Sequence, residues 1–365
     1  MQQFQVRKDK FTDSRLVELA SDEDATGLGA GEILVRIDRF GFSANNVTYA
    51  AAGDMLGYWQ FFPPAGADVD GWGITPVWGF ADVVESNVGE VPVGDRLFGY
   101  FPPATHLRMT PVKISQQHFV DGAVHRSKLP PGYNGYRRVK AEPGYDPAAD
   151  NERMLLWPLY VTSFCLWDAL TLHNWYEAEQ VIIVSASSKT AIGLACALST
   201  DASSPDVIAA TSRRNLGFVG RLGLYDAAFC YEAITEIDSG KPAVIVDMSG
   251  NRELLRQLAA HLGENMKYCI NVGLTHWDET GKPDGILAER SEFFFAPGHI
   301  QMRIKDWGPD GFTKKSSAFL QRAIGQSKAW LKLKKIDGLS GLARIYPEVC
   351  AGRADPEQGL VIELL

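Results

Sequence analysis

The chain has 365 residues, 45% of them hydrophobic and 22% charged, with a net charge of −8. That length favours two domains over one core, and the ordinary composition excludes a disordered or low-complexity chain. An acidic chain without a long basic stripe is a poor nucleic-acid binder, and no apolar run is read as reaching the ~18 residues of a membrane span.

The opening residues, MQQFQVRKDKFTDSRL, lack the apolar core of a signal peptide, so a cytoplasmic protein is expected. Five widely spaced cysteines fit buried, reduced thiols better than a disulfide framework or a CxxC zinc site. The seven histidines show no metal-ligand spacing, and no metal site is expected.

The first ~110 residues read as strands and turns. EILVRIDRFGF (32–42) alternates in part and is rich in β-branched residues, and GITPVWGFADVVESNVGEVPVGDRLFGYFP reads as short strands cut by turns. Such spacing suggests a barrel or sandwich. From about Asn151 the texture changes. A helical stretch, ERMLLWPLYVTSFCLWDALTLHNW, leads into alternating short apolar runs and helical segments. Strand–helix alternation with runs such as VIIV, VIAA and AVIVD predicts a buried parallel sheet, complete by about Gly273. GFTKKSSAFLQRAIGQSKAWLKLKKI is predicted as one amphipathic helix, and the closing GLVIELL as a strand that returns to the first domain.

In VIIVSASSKTAIGLACAL (181–198) an apolar strand meets a small polar loop and then a helix, the layout of a phosphate cradle without its glycines. Hydroxyls of Ser185, Ser187, Ser188 and Thr190 can donate to phosphate oxygens, and Lys189 adds charge at the helix start. Gly193, one turn on, can serve helix–strand packing. The alternative is a plain turn with a Ser or Thr helix cap. The next strand ends in Ser212-Arg213-Arg214, with no acidic residue to accept from a ribose 2′-hydroxyl. Arginine there accommodates a 2′-phosphate, which points to NADP(H); a solvated helix start is the alternative.

The order of segments resembles the medium-chain dehydrogenase/reductase superfamily, closest to its zinc-independent quinone oxidoreductase branch. LGAGEILVRIDRFGFSANN resembles that family's opening strand and VPVGDRLFGY its VGDR strand. LYVTSFCLWDAL resembles the helix before the cofactor domain, and VIAATSRRNLGFVGRLGLYDAAFCYE, AVIVDMSGN and GRADPEQGLVIELL match later segments in order. SASSKTA replaces the glycine-rich loop, no GHE motif or upstream catalytic cysteine is present, and the connection from His118 to about Asp150 is longer than usual. The chain resembles a bacterial domain-of-unknown-function subfamily.

The resemblance implies an α/β fold. A Rossmann doubly wound parallel sheet domain (152–305) would be inserted into a GroES-like β-barrel domain (1–151 plus 306–365), with NADPH in the cleft. It implies reduction of a carbonyl, activated alkene or quinone, no zinc, and a homodimer. Tyr49, four residues before Gly53, matches a family tyrosine near the nicotinamide. Tyr49 is a candidate proton donor, with Asn45 and Asn46 orienting the carbonyl or carboxamide; alternatively Asn45 caps a short helix and Tyr49 is core. Thr162 and Ser163 match a position near the nicotinamide, and Met248, Val272 and Gly273 would line the cofactor groove. Tyr58, Trp59, Phe61 and Phe62 either wall an apolar substrate pocket or pack as core. Phe294 and Phe295 resemble a segment closing over the nicotinamide. A catalytically degenerate binding or scaffold protein, or one that binds another phosphate-bearing ligand such as an acyl-CoA, stays open.

Overall fold

The computed structural model describes residues 1–19, 27–272 and 285–364. The chain divides into two compact units, Met1–Leu155 with Leu331–Leu365, and Leu156–Trp330. The second unit thus runs on to Trp330, past the 305 expected from sequence, because the helix after residue 296 packs on it.

The first unit opens with β1 (Gln2–Arg7) and β2 (Ser14–Glu18). β3 (Ile33–Phe42) has the period-two pattern of a half-covered strand: Ile33, Val35 and Ile37 are fully buried and Arg36 is exposed. α1 (Ala44–Ala51) follows directly. Its cap is Ser43, not Asn45. The Ser43 side chain accepts from Asn45 N, and Asn46 Oδ1 accepts from Ser43 N at 2.9 Å, closing a capping box. Then come β4 (Trp72–Gly73), β5 (Val77–Ser86), β6 (Arg96–Phe101), β7 (His106–Met109), β8 (Pro111–Val112), β9 (His118–Asp121) and β10 (Gly135–Arg138). β4 joins β1 and β2 in a three-stranded sheet.

The long connection after His118 is not a loose loop. β9 and β10 pair with each other, and β10 adds to β6. Its anchor is Arg126, 1% exposed, which donates to the buried Asp121 carboxylate and to Tyr136 Oη at 3.2 Å. A charge this deep is tolerated only because its partner is equally buried.

α2 (Asp150–Leu172) leads into the second unit. Contrary to the sequence reading, it is long and apolar enough to cross a membrane by length and composition, yet 61% of its apolar window is buried inside the protein. It is followed by β11 (Gln180–Val184), α3 (Lys189–Leu198), β12 (Asp206–Thr211), α4 (Leu216–Arg221), β13 (Ala227–Cys230), β14 (Ala243–Asp247), α5 (Arg252–Leu262), β15 (Met266–Asn271), α6 (Gly285–Glu289), β16 (Ser291–Phe293) and α7 (Ala296–Ser327). α7 breaks at Gly308 (φ 74°), just before Pro309. All six strands are parallel, in the order β13-β12-β11-β14-β15-β16. That is the Rossmann order, with the chain reversing direction across the sheet between β11 and β14. β16 extends the sheet beyond the Gly273 limit expected from sequence. β11 and β14 are buried along their whole length, which explains their unbroken apolar runs.

The chain returns to the first unit with β17 (Lys332–Asp337), α8 (Gly338–Cys350) and β18 (Gln358–Glu363). The expected single helix over 311–336 is therefore wrong at its end: Lys332–Asp337 is a strand, parallel to β18. Its lysines gave it a helix-like polar face, but as an edge strand it is solvated on one side and needs them there. β18 pairs antiparallel with β3, as the expected return to the first domain requires. The sheet order is β17-β18-β3-β5-β6-β10-β9-β8, with β7 also on β3.

Trp59, expected in a substrate wall, lies in the core of the first unit with Phe4, Val6, Val77 and Phe101. Two glycines make room for it. A Cβ at Gly53 would fall 2.0 Å from Trp59 Nε1, and one at Gly73 2.5 Å from its ring. Trp59→Ala is expected to cost about 3–5 kcal/mol of stability, read as a shift in the urea midpoint.

Candidate cofactor and active sites

In the second unit, α/β ligands bind outside the carboxyl ends of the strands. Ser185, first after β11, has φ 61°. It thus adopts the left-handed backbone that a glycine usually supplies at this turn, at a cost of about 1–2 kcal/mol. Burial pushes the Tyr231 phenol up, and hydrogen bonding from Ser185 opposes that rise. Tyr225 Oη donates to the Ala186 carbonyl at 2.7 Å, pinning the next residue. Gly193 does supply close packing, but helix on helix: a Cβ there would sit 2.5 Å from Ser163 Oγ and from the Tyr160 ring. Ser163 Oγ in turn donates to the Thr190 carbonyl at 2.7 Å, tying α2 to the start of α3.

The loop hydroxyls divide by role. Ser187 is buried and turned inward, where it accepts from Asn215 Nδ2 at 2.9 Å and Thr211 Oγ1 at 3.4 Å. Ser188 Oγ accepts from Ala191 N and is the N-cap of α3. Lys189 and Thr190 form the first turn of the helix. Beyond β12, Ser212 has a buried Oγ with no hydrogen-bond partner. Arg213 and Arg214 are exposed. Arg213 is 3.8 Å from Glu232, with 73% and 60% of their side chains exposed, a loose surface pair of little energy. Met248 N bonds the Val184 carbonyl and Val272 N the Asp247 carbonyl, so both residues stand at the same sheet edge. Asp247 holds the turn after β14 by accepting from Ser249 and Gly250. Thr162 is half-buried on α2, its hydroxyl on the Pro158 carbonyl at 3.5 Å. Phe294 is buried against His299 and Phe295 is 37% exposed. Gly273 lies outside the described residues.

In the first unit, Tyr49, Tyr58, Phe61 and Phe62 lie together, and two residues of no expected role, Tyr100 and Tyr133, join them. Tyr49 lies 4.5 Å from Tyr58 and 5.7 Å from Tyr100, ring centre to ring centre. Tyr58 and Tyr133 share a hydroxyl–hydroxyl hydrogen bond of 3.1 Å. Burial pushes the Tyr49 phenol far above its usual range, with Tyr133 adding to it, while Asn45 and Trp78 pull the other way. These phenols are therefore neutral at any physiological pH and act as donors. Asn46 does not face them: its amide nitrogen donates to the Pro76 carbonyl at 3.0 Å and its oxygen serves the cap, so both ends are held by backbone. Tyr100 and Tyr133 escaped the sequence reading because one sits in an ordinary strand and the other in a turn without pattern. Among the described residues, no group of three or more His, Cys, Asp or Glu is placed to hold a metal ion.

A family model described as "Protein of unknown function (DUF2855)" matches residues 40–355. The chain belongs to that family. No curated protein matches its sequence. Solved structures do match over the whole chain. CurA from Vibrio vulnificus in complex with NADPH is 12% identical at a TM-score of 0.65, covering 100% of this chain and 99% of that one. The yhdH oxidoreductase from Salmonella enterica in complex with NADP is 12% identical at 0.56, covering 100% of both. A mutant form of the enoyl thioester reductase from Candida tropicalis is 12% identical at 0.57, covering 100% and 99%. This DUF2855 chain thus shares the fold of these solved structures, a Rossmann domain plus a GroES-like one.

The inward Ser187 makes a structural prediction. Ser187→Ala leaves Asn215 without its acceptor and should cost about 1–3 kcal/mol in a denaturant melt. Gly193→Val should cost at least as much by overpacking, about 1–3 kcal/mol.

Proposed function

We propose that this DUF2855 protein is an NADPH-dependent, zinc-independent oxidoreductase that reduces a carbonyl, activated alkene or quinone. The observation that carries the reading is the carboxyl end of β11, where Ser185 takes the glycine conformation and delivers the chain to the N-terminus of α3. One job of a glycine-rich loop, the tight turn, is done by Ser185, while Gly193 brings α3 close to helix α2 and not to the strand. The inward turn of Ser187 onto Asn215 and Thr211 would keep its side chain out of the way of a pyrophosphate. The residues fit a dinucleotide: the first turn of α3 with Lys189 and Thr190 for the pyrophosphate, the unpartnered Ser212 hydroxyl and Arg213 and Arg214 for a 2′-phosphate. Thr162, Met248, Val272 and Gly273 would take the nicotinamide half. NADP(H)-bound neighbours of the same fold support this choice.

When bound, the nicotinamide supplies the hydride. The chain's own task is the proton. Tyr49, steadied by Asn45, hydrogen-bonds the substrate oxygen, gives its proton as negative charge develops there, and regains one from solvent. Tyr58, Phe61 and Phe62 wall the site, which suits an apolar substrate. We also propose a cytoplasmic homodimer, testable by sedimentation. One observation favours a second reading, a binding protein without turnover: Ser188 Oγ occupies a helix N–H that a phosphate would otherwise take.

Titration with NADPH and NADH, followed by quenching of the nine tryptophans, decides between them. Tight NADPH binding, weakened about tenfold by Arg213→Ala with NADH unaffected, supports the first reading. No binding of either at millimolar concentration supports the second. Tyr49→Phe should lower kcat about 10²-fold with NADPH affinity unchanged.

A further inference from the structure

Tyr100 is fully buried, and its hydroxyl has no hydrogen-bond partner. Buried polar groups are nearly always paired, so an orphan donor points to an absent acceptor. Tyr133 lies over it, ring centres 4.8 Å apart. Tyr133 differs from the other three phenols in being only half-buried. It stands on the Pro131–Tyr133 turn, whose Pro131 and Gly132 are exposed and whose Gly132 has open space where a Cβ would be. The turn is tied on both sides by backbone, Leu129 N to the Arg126 carbonyl at 3.1 Å and Tyr133 N to the Pro130 carbonyl at 3.2 Å, and most firmly at Asn134. Asn134 is buried, donates to the Arg126 carbonyl at 3.0 Å and accepts on its own carbonyl from Asp121 N at 2.9 Å. The Tyr133 side chain itself is held by its hydroxyl contact to Tyr58 and by ring contacts.

We infer that Tyr133 is a displaceable aromatic cover of the Tyr49 site, and that the site takes a flat, uncharged quinone or aryl ketone. The incoming ring replaces the Tyr133 ring against Tyr100, and its oxygen accepts from the orphan hydroxyl. This deepens the proposed function and rests on that reading of Tyr49. Displacement breaks one hydroxyl contact and exchanges one aromatic ring for another, while Tyr100 gains an acceptor. An anionic ligand is disfavoured. The nearby cation, Arg126, stacks 4.7 Å over Phe62, and its two terminal nitrogens are taken up by Asp121 and Tyr136, its charge being paired with the Asp121 carboxylate.

The test is binding of 2,3-dimethyl-1,4-naphthoquinone, whose blocked ring carbons do not react with thiols, read by tryptophan quenching without NADPH. Saturable binding to the full-length protein is expected, about tenfold weaker in Tyr100→Phe. Tyr133→Ala should bind faster, by about tenfold in the association rate, and Tyr133→Phe should lie between it and the natural protein. The 2-hydroxy-3-methyl analogue, an anion at neutral pH, should bind at least tenfold more weakly. No quinone binding, responses within twofold in Tyr100→Phe and Tyr133→Ala, or equal binding of the anion would each overturn the inference. Melting curves show that each variant is folded. Because the assay omits the cofactor, quinone binding with these responses but no NADPH binding would sink only the redox reading.

Discussion

The second unit depends on how closely α3 can approach α2. Position 193 has no space for a Cβ, and Ser163 reaches across to the Thr190 carbonyl. With α3 held there, the chain leaving β11 must turn within a few residues, and Ser185 takes left-handed backbone to do so. Everything at this sheet edge inherits its position from that turn: the inward Ser187, the Ser188 cap and the direction of the first helical N–H groups. Backbone strain in a non-glycine residue survives only where surrounding contacts over-determine it. Tyr225 on Ala186 and Tyr231 beside Ser185 provide them.

The first unit solves a different problem, how to keep several phenols in one apolar place. Each buried hydroxyl costs free energy unless paired. Tyr58 and Tyr133 pair with each other, and Asn45 and Trp78 face Tyr49. The charged groups nearby are sequestered in their own pairs, so the cluster offers neutral donors and aromatic faces without a free charge.

The fold was legible where side-chain pattern and backbone agree. The runs VIIV and AVIVD announced buried parallel strands, and the alternation of 33–37 a half-covered one. The KLKKI segment misled because exposed lysines look alike on a helix face and on a sheet edge. Candidate residues near one another in sequence, such as Tyr49 and Tyr58, could be picked out from the sequence. Asn215 on Ser187 and Tyr133 on Tyr100 were not, because they meet only through tertiary packing. The direction of a side chain was also hidden: Asn46 and Trp59 had the right residue types, but a capping box and a pair of glycines drew them into the framework.

The place of β18 has a consequence for how this protein is made. Its last strand lies between β17 and β3, inside the sheet of the first unit, although it is synthesised last. Until it emerges, the Arg39–Phe42 end of β3 keeps an unpaired edge, β7 having paired Ile33–Arg36, and the apolar face of β3 lacks the cover of α8, whose Leu339, Leu342 and Tyr346 belong to that core. The Rossmann unit has no such dependence: its described strands lie in one uninterrupted stretch of chain and pair among themselves. During translation the middle of the protein can therefore fold before its beginning. Until β18 is made, that end of β3 is an open strand edge, and open edges are prone to aggregate.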